Sequence, residues 1–552
     1  MDVGTGTSLT ARQLIGLLVD PGTYRSWDEP PGAEPAEADY RAALARARDR
    51  TGVDEAVVTG VGLLDGRAVA LVASEFGFLG GSIGVATAER ITRAVERATA
   101  ERLPLVALPV SGGTRMQEGS AAFLCMLRIT AAVQAHRAAG LPYLTYLRNP
   151  TMGGVFASWG TLGQLVFAEP GARLGFLGPR VYEELRGVEL PADVQRAETL
   201  AGHGLVDAVV APAELREVLR RSLAVLTLDP RAADARAADA QTADARAADA
   251  RAADAQTADA QTADARAADA RAADVRTADV RTVDAPDGSP TAAPDVRPDT
   301  WDAVRRTRRP DRPGTRELLR RAAGELVLLD APGGRDGALV RALAVLDGRP
   351  ALVVGQQRQT ADRERPFTAA DLRAVRRTAR LAEQLALPLV TVVDTAGAEL
   401  SAQAERDGIA IEIAHCLTTL LALRTPVLAV LLGQGAGGGA LALLPADRVL
   451  AAENAWLAPL PPEGASAIVH RDGDHAPELA RSQGIGAYDL AAVGLVDTVI
   501  PERPDAAEEP AAFCARLGGA IGASLGALTA TGRADLLAAR AARHRRLGDV
   551  LG

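Results

Sequence analysis

The chain has 552 residues, of which 48% are apolar, and it carries a formal net charge of −9. This length is enough for two or three domains of ordinary size, and the negative charge argues against non-specific nucleic-acid binding. All 61 basic residues are arginine, which excludes a Schiff-base lysine and a P-loop lysine.

The three cysteines, Cys125, Cys416 and Cys514, lie far apart and form no CxxC pair. This spacing argues against a disulfide framework and against a four-cysteine zinc site, so we expect reduced, packed thiols. The first residues lack a basic stretch followed by an apolar run, and no uninterrupted apolar segment reaches the ~18–20 residues of a membrane span. We therefore expect a cytoplasmic protein with no membrane association and no metal site.

Short apolar runs alternate with longer amphipathic segments in the first part of the chain. Residues 66–74 and 103–110 predict buried strands, and residues 88–99 and 119–139 have the length and pattern of helices. Strands that alternate with helices in this way are typical of an α/β fold with mostly parallel strands.

An array of five-residue units rich in alanine, arginine and aspartate fills residues 230–285. It has almost no large apolar side chains and cannot bury a core. A period of five does not keep one face of a helix that has 3.6 residues per turn. We interpret this segment as a flexible or partly helical linker that ends in a proline-containing stretch, with a binding role as the alternative.

Strand and helix patterns resume after the linker. Strands are predicted at residues 349–355, 387–393 and 426–432, and helices at residues 369–387 and 408–423. The second part therefore predicts the same α/β class as the first.

Four short segments of the first part recur in the same order in the second part, between 282 and 290 residues further along. The sequence therefore predicts one domain present twice, with two facing copies of one site that can hold two different substrates. The recurring pairs begin at Leu64 and Leu346, Leu103 and Leu387, Ala168 and Ala452, and Gly204 and Gly494.

Each copy has two glycine turns directly after an apolar strand: residues 111–115 and 151–155 in the first, and residues 394–397 and 433–440 in the second. A turn that opens a helix presents backbone N–H groups at the positive end of that helix. Two such turns can direct two N–H donors at one oxygen, which is the design of an oxyanion hole. Tight helix–strand packing is one alternative. Phosphate binding is another, but neither GxxxxGK[ST] nor GxGxxG is present at these turns.

Side chains for conventional catalysis are few. The six histidines are scattered, and no HExxH motif occurs. His470 and His475 flank one loop and could orient a substrate. We expect backbone donors to carry the chemistry, while the substrates or a cofactor supply the base.

The first half resembles the carboxyltransferase β subunit of bacterial acetyl-CoA carboxylase, and the second half resembles the α subunit. The matching segments of the first half are residues 76–84, 111–119, 150–155, 168–172 and 178–181. Those of the second half are residues 301–310, 354–357, 394–398, 437–442 and 462–468.

This resemblance implies two crotonase-like α/β domains, each a spiral of ββα units, joined by a low-complexity linker. Residues 1–228 would form the acyl-CoA side, residues 229–300 the linker, and residues 301–552 the carboxybiotin side. The implied reaction moves a carboxyl group from carboxybiotin on a separate carrier protein to acetyl-CoA and gives malonyl-CoA. The implied partners are the biotin carrier protein, a biotin carboxylase and a second copy of the chain in a homodimer. No cofactor would be bound covalently, and no zinc is expected.

By position, the resemblance implies a set of catalytic and substrate-binding residues. One oxyanion hole would hold the thioester enolate, and the other would hold the ureido oxygen of biotin. The register within residues 437–440 is open at this point. The enolate side has Gly112, Gly113, Gly153, Gly154 and Val155, the biotin side has Gly397, Gly438, Gly439 and Ala440, and the substrate-binding residues are Phe78, Gly80, Gly81, Ser82, Arg115, Arg180, Glu463 and Gly464.

Two departures from the family pattern stand out. The N-terminal four-cysteine zinc ribbon of the β subunit is missing, and the usual Asp-Thr-Pro-Gly reads Asp-Thr-Ala-Gly at residues 394–397. Three alternatives stay open: a carboxyltransferase for propionyl-CoA or another acyl-CoA, a malonyl-thioester decarboxylase, and a silent scaffold that binds the biotin carrier.

Overall fold

A computed structural model of the chain describes residues 9–32, 35, 37–178, 182–183, 187–191, 193–227, 297–329, 337–357 and 366–547. The predicted linker lies outside these residues, apart from its last four. The chain divides into one compact unit made of Met1–Arg220 and Thr291–Gly552 and a second unit, Arg221–Pro290. Among the described residues we refer to residues 9–227 as the first half and to residues 297–547 as the second half.

The first half alternates strands with helices from residue 57 onward, as the apolar runs predict. Its helices are α1 (Ala11–Leu18), α2 (Ala38–Thr51), α3 (Val85–Ala100), α4 (Gly119–Ala138), α5 (Gly153–Phe156), α6 (Ala197–Gly202) and α7 (Pro212–Leu226). Its strands are β1 (Arg25–Ser26), β2 (Val57–Leu64), β3 (Arg67–Ser74), β4 (Leu105–Leu108), β5 (Tyr143–Leu147), β6 (Thr151–Met152), β7 (Leu165–Ala168), β8 (Leu174–Gly175) and β9 (Ala208–Val209).

The second half also alternates strands with helices and has more helices than the first among the described residues. Its helices are α8 (Thr300–Thr307), α9 (Thr315–Ala322), α10 (Ala369–Gln384), α11 (Ala402–Arg406), α12 (Ile409–Ala422), α13 (Gly437–Leu441), α14 (Pro462–Val469), α15 (Ala476–Ser482), α16 (Ala487–Ala492), α17 (Pro510–Ala530) and α18 (Arg533–Arg546). Its strands are β10 (Ala323–Leu328), β11 (Leu339–Leu346), β12 (Arg349–Gln356), β13 (Leu389–Thr395), β14 (Val427–Gly435), β15 (Arg448–Ala452) and β16 (Thr498–Ile500).

Both halves are built on a seven-stranded sheet of the same topology. The order is β1-β2-β3-β4-β5-β7-β9 in the first half and β10-β11-β12-β13-β14-β15-β16 in the second. In each sheet the first three strands are antiparallel and the remaining strands are parallel. The predicted duplication and the α/β class are therefore confirmed.

The recurring sequence segments occupy equivalent places in the two sheets. The Leu-Asp-Gly-Arg segments form the tight turns of the β2–β3 and β11–β12 hairpins. Asp65 and Gly66 have φ of 53° and 74°, and Asp347 and Gly348 have φ of 49° and 73°, as a two-residue hairpin turn requires. The aspartates that end the Gly-Leu-Val-Asp segments, Asp207 and Asp497, each accept a strand N–H at 2.7 Å.

A second, shorter ladder runs beside each main sheet. In the first half it links Ile83 to Thr114, Ser111 to Thr151, and β6 to β8. In the second half it links Phe367 to Ala398, Thr395 to Gly435, and Ala436 to Ala458. Each repeat therefore contains a main-sheet strand, a second-ladder residue or strand, and a helix. This is the ββα spiral that the resemblance to crotonase-like domains implies, and it brings the glycine turns to one ladder.

The two halves share one apolar core, to which both contribute buried side chains. Helix α4 of the first half packs against α12 and α18 of the second. Among the described residues, α17 is the one helix long and apolar enough to cross a membrane. Half of its most apolar stretch is buried, including Phe513, Leu517 and Ile521.

Candidate functional site

The two glycine turns of the first half converge. Gly113 has φ of +117° and donates its N–H to Ser111 Oγ at 3.0 Å. Gly153, with φ of +62°, opens α5, and a Cβ on it would lie 3.5 Å from Gly113 Cα. The next glycine, Gly154, faces Thr114 Oγ1 and Met126. The atoms around Gly153 and Gly154 are therefore backbone atoms, the hydroxyl of Thr114 and the thioether side chain of Met126.

The second half repeats this geometry. Gly397 has φ of +136° and donates its N–H to Thr395 Oγ1 at 3.1 Å. Gly437, with φ of +62°, opens α13. A Cβ on Gly439 would lie 2.9 Å from Ala398 N. With alanine in Asp-Thr-Ala-Gly, the turn is therefore still closed as in the first half, by a glycine N–H that donates to a side-chain hydroxyl oxygen.

The equivalent backbone angles fix the register that the sequence left open. Gly153 and Gly437 both have φ of +62° and both begin the helix, so Gly154 corresponds to Gly438. The N–H groups of the first turn of a helix have no partner within that helix. Gly112 and Gly437, in contrast, donate to Gly80 O and Ala458 O, both at 2.8 Å. The backbone N–H groups of Gly154, Val155, Gly438 and Gly439 are therefore the candidate donors to a substrate oxygen.

Four of the predicted substrate-binding residues lie behind the first-half turn. Phe78 is fully buried, and Gly80 O accepts the N–H of Gly112. A Cβ on Gly81 would lie 2.1 Å from Val110 O. Ser82 O accepts a hydrogen bond from Arg115 at 2.9 Å. These contacts give residues 78–82 the role of a support for residues 110–115.

Arg115, which we expected to bind substrate, has a side chain that is 1% exposed, and its guanidinium contacts Glu55 at 2.6 Å. Tyr40 and Thr87 also lie within hydrogen-bond distance. Burial alone would raise the pKa of Glu55, but the Arg115 guanidinium outweighs it and the net shift is downward. Arg115 is thus the cation of a buried ion pair that holds the turn from behind.

Several other predicted residues in the second half have partners of their own. Glu463, in the first turn of α14, pairs with Arg308 at 2.5 and 2.9 Å, and Gly464 beside it is buried. His470 and His475 stack on each other with ring centroids 4.2 Å apart, and His475 Nδ1 lies 2.8 Å from Asp472. These contacts account for both histidines. Arg180 lies outside the described residues.

A residue that sequence reasoning missed lies between the two pairs of turns. The carbonyl oxygen of Phe176 is 3.9 Å from the position of a Cβ on Gly153, and its ring is 2.9 Å from the position of a Cβ on Gly438. Phe176 and Leu177 donate their N–H groups to the carboxylate of Glu405, from the second half. The sequence carried no signal for this contact, because the residues are more than 220 positions apart.

A surface cavity of about 450 Å³ lies beside the first-half turn and is lined by Asn149, Pro150, Gly171, Arg173 and Arg196. Two of these residues are arginines, and the backbone N–H groups of Asn149 and Gly171 donate to the carboxylates of Glu169 and Glu198. The side chains are exposed, so sequence patterns alone did not distinguish them from ordinary surface arginines.

Comparison with known proteins identifies the family. Residues 5–527 match the family model described as carboxyl transferase domain. The chain belongs to the carboxyl transferase domain family. A relative from Mycobacterium tuberculosis H37Rv, named probable biotin-dependent acyl-coenzyme A carboxylase beta3 subunit, is 51% identical over 98% of this chain and 99% of its own length. One from Salinispora tropica, named acetyl-coenzyme A carboxylase carboxyl transferase subunits beta/alpha, is 38% identical over 99% of this chain and 92% of its own.

Solved structures of lower similarity align with this carboxyl transferase. Transcarboxylase 12S is 20% identical, with a TM-score of 0.35 over 95% of this chain and 90% of its own. The beta subunit of geranyl-CoA carboxylase from P. aeruginosa is 17% identical, with a TM-score of 0.32 over 97% of this chain and 88% of its own.

Proposed function

We propose that this chain is the carboxyltransferase component of a biotin-dependent acyl-CoA carboxylase. It would take the carboxyl group from carboxybiotin on a separate carrier protein and transfer it to acetyl-CoA, which gives malonyl-CoA. The observation that carries the proposal is the duplicated pair of glycine turns, one pair in each half, separated by Phe176. Two matched donor sites beside each other suit a reaction between two carbonyl-containing substrates.

The proposed chemistry uses backbone donors and no side-chain base. The N–C bond of carboxybiotin breaks and releases CO2, and the freed biotin nitrogen takes the α-proton of the thioester. The enolate carbon then forms a bond to CO2. N–H groups at Gly154 and Val155 would stabilise the enolate oxygen, and those at Gly438 and Gly439 would stabilise the ureido oxygen. Preorganised donors of this kind act where charge develops in the transition state.

Three features support acyl-CoA and carboxybiotin as the substrates. The relatives are named as acyl-CoA or acetyl-CoA carboxylase components. The cavity presents the guanidinium groups of Arg173 and Arg196, which are suited to bind the phosphates of CoA. The turns contain glycine where a substrate must approach the backbone closely. A biotin carrier protein and a biotin carboxylase are the partners that this reaction needs, and a metal ion is not required.

Acetyl-CoA is our first choice of acyl substrate, because relatives from two Salinispora species, 37–38% identical to this chain, carry that name. A longer acyl-CoA is the second candidate. It is favoured by the M. tuberculosis relative, which is 51% identical and is named for acyl-CoA in general.

The reverse reaction tests both the activity and the acyl preference. The purified full chain is incubated with malonyl-CoA or methylmalonyl-CoA, with and without free biotin, and decarboxylation is followed. Biotin-dependent turnover of malonyl-CoA with the higher kcat/KM supports the acetyl-CoA assignment. A higher kcat/KM for methylmalonyl-CoA moves the substrate to propionyl-CoA. Turnover that does not depend on biotin identifies a decarboxylase, and an absence of turnover contradicts the proposal.

A further inference from the structure

The loop that carries Phe176 obtains its hydrogen-bond acceptor from the other half of the chain. Strand β8 ends at Gly175, after its pairing with β6. Beyond that point the N–H groups of Phe176 and Leu177 donate to Glu405 Oε1 at 2.9 and 3.2 Å, and Phe176 N also lies 3.1 Å from Oε2. A half-buried N–H without a partner would cost free energy, so the carboxylate fixes where this loop can lie.

Gln195 completes the contact from the first half. Its Nε2 donates to Glu405 Oε1 at 2.8 Å and to Leu177 O at 2.7 Å. A Cβ on Gly175 would lie 2.4 Å from the same amide nitrogen. The Glu405 carboxylate thus receives N–H groups from three residues, all of them in the first half. Burial raises the pKa of Glu405, and these donors oppose the rise.

Glu405 is also tied to the second-half turn. It lies on α11, eight residues after Gly397, and α11 begins at Ala402 with Ser401 as its N-cap. One carboxylate therefore connects the segment that follows the Gly397 turn with the loop that lies against Gly153. Between them, the ring of Phe176 rests on Gly438.

We propose that Glu405 is a positioning residue that sets the spacing between the two oxyanion turns by holding Phe176 between them. The inference rests on the proposed carboxyl transfer and adds a residue that the reaction depends on without contacting the substrates. A carboxyl group that passes from one site to the other needs a defined spacing, because a misplacement of about 1 Å can cost as much as 10²-fold in rate.

The test uses a graded pair of variants in the full chain. Glu405→Ala removes every acceptor, and we expect kcat for biotin-dependent malonyl-CoA decarboxylation to fall at least about tenfold, with KM for malonyl-CoA within about twofold of wild type. Three of the four hydrogen bonds to Glu405 are accepted by Oε1. Glu405→Gln keeps an amide oxygen at that position, so this variant should retain most of the wild-type kcat. The matched control is Glu412→Ala, which removes a carboxylate that pairs with Arg376 at 2.6 Å inside the second half.

A double-variant cycle separates positioning from general destabilisation. If Glu405 acts through the Phe176 loop, then the effect of Glu405→Ala on kcat should largely disappear in a Phe176→Ala background. Additive losses in kcat would overturn the proposal. So would a Glu405→Ala enzyme with wild-type kcat, or a Glu412→Ala enzyme as slow as Glu405→Ala.

A second measurement does not depend on activity. Amide hydrogen exchange in residues 174–178 of the full chain should accelerate in Glu405→Ala and stay at the wild-type rate in Glu412→Ala. Unchanged exchange in Glu405→Ala would show that the carboxylate does not hold the loop. If wild type and Glu412→Ala both lack carboxyl transfer, the proposed function fails, and this exchange result alone then decides whether Glu405 positions the loop.

Discussion

Gly439 lies where the two second-half turns meet, and it leaves no room for a side chain. A Cβ there would come within 2.9 Å of Ala398 N and 3.3 Å of Ala398 Cα. Both atoms are backbone, so Gly439→Ala must push the turns apart. Since loss of one oxyanion donor costs about 10²–10³ in kcat, we expect a loss of that size in biotin-dependent malonyl-CoA decarboxylation.

Gly324→Ala is the matched control for this substitution. Gly324 lies on β10, where the nearest atom to a new Cβ is Val345 O at 3.9 Å, and we expect its kcat to equal that of wild type. If Gly439→Ala retained the wild-type kcat, the second-half turn would have no part in the reaction.

His544 is another residue whose environment predicts a measurable effect. It is 2% exposed, and its Nδ1–H donates to Arg540 O at 2.8 Å. Burial, with Arg543 and Arg540 nearby, lowers its pKa from 6.5 to about 4. The unfolded chain therefore binds a proton near pH 6.5 that the folded chain does not bind until about pH 4. The free energy of unfolding therefore keeps the full contribution of this group above pH 6.5. It falls by about 3 kcal/mol in total as the pH falls from 6.5 to 4.

Urea unfolding at several pH values checks this expectation. His544→Asn keeps a donor for Arg540 O and cannot titrate in this range. Between pH 7 and pH 4 the free energy of unfolding of wild type should fall by about 3 kcal/mol more than that of the variant. Equal losses would place the His544 pKa near its ordinary value.

At the scale of elements, the first-half turn depends on an ion pair that joins separate segments. Arg115 follows β4 by seven residues, and Glu55 lies just before β2; both side chains are less than 5% exposed. Arg115→Met leaves the Glu55 carboxylate buried without its cation, which should lower the free energy of unfolding by about 3–5 kcal/mol. Chemical denaturation measures the change.

The double variant Arg115→Met with Glu55→Gln provides the comparison. It removes both charges, so it should recover much of the lost stability. A single variant as stable as wild type would show that the ion pair does not support the turn.

The sequence predicts some strands and helices of this fold and misses others. Strands β4 and β13 and helices α4 and α12 were predicted within about two residues, because long apolar runs and helical patterns are local signals. Strand β2, with Gly60 and Gly62 in it, and helices α17 and α18 were not predicted.

The site was predicted only in part, for a physical reason. Glycine turns after strands are visible in the sequence, and the structure places them as matched pairs. Arg115 was expected to bind substrate from the family resemblance, and no local pattern reports its burial against Glu55, which is 60 residues away. Phe176 and Glu405 were missed for the same reason, since only the packing of the two halves brings them together.

At the scale of the whole molecule, the two halves of one chain pack closely against each other. Ser120 N donates to Gln483 O at 3.1 Å, and Arg545 pairs with Glu89 at 2.8 Å. Because Phe176 lies between first-half and second-half turns of the same chain, we expect each chain to form its site from its own two halves. Gly154→Val and Gly439→Ala chains, co-expressed with different tags, should then fail to restore activity to each other.

The result is measured on protein purified through both tags, with a doubly tagged wild-type pair as the reference. If sites formed between chains, a mixed dimer would contain one site with both turns intact and would show about half the wild-type activity. Recovery to that level would contradict formation of the site within one chain.

The burial of all three cysteines has a practical consequence. Cys125, Cys416 and Cys514 are fully buried on α4, α12 and α17, and burial raises the pKa of Cys416 and Cys514. A thiol reagent added to the folded chain therefore finds no accessible thiolate. Labelling at each sulfur should proceed only as fast as the surrounding structure opens. The labelling rate of Cys125 then measures how often the first half opens, and the rates of Cys416 and Cys514 measure how often the second half opens. Compared with one another, these rates show whether the two halves separate before either one unfolds.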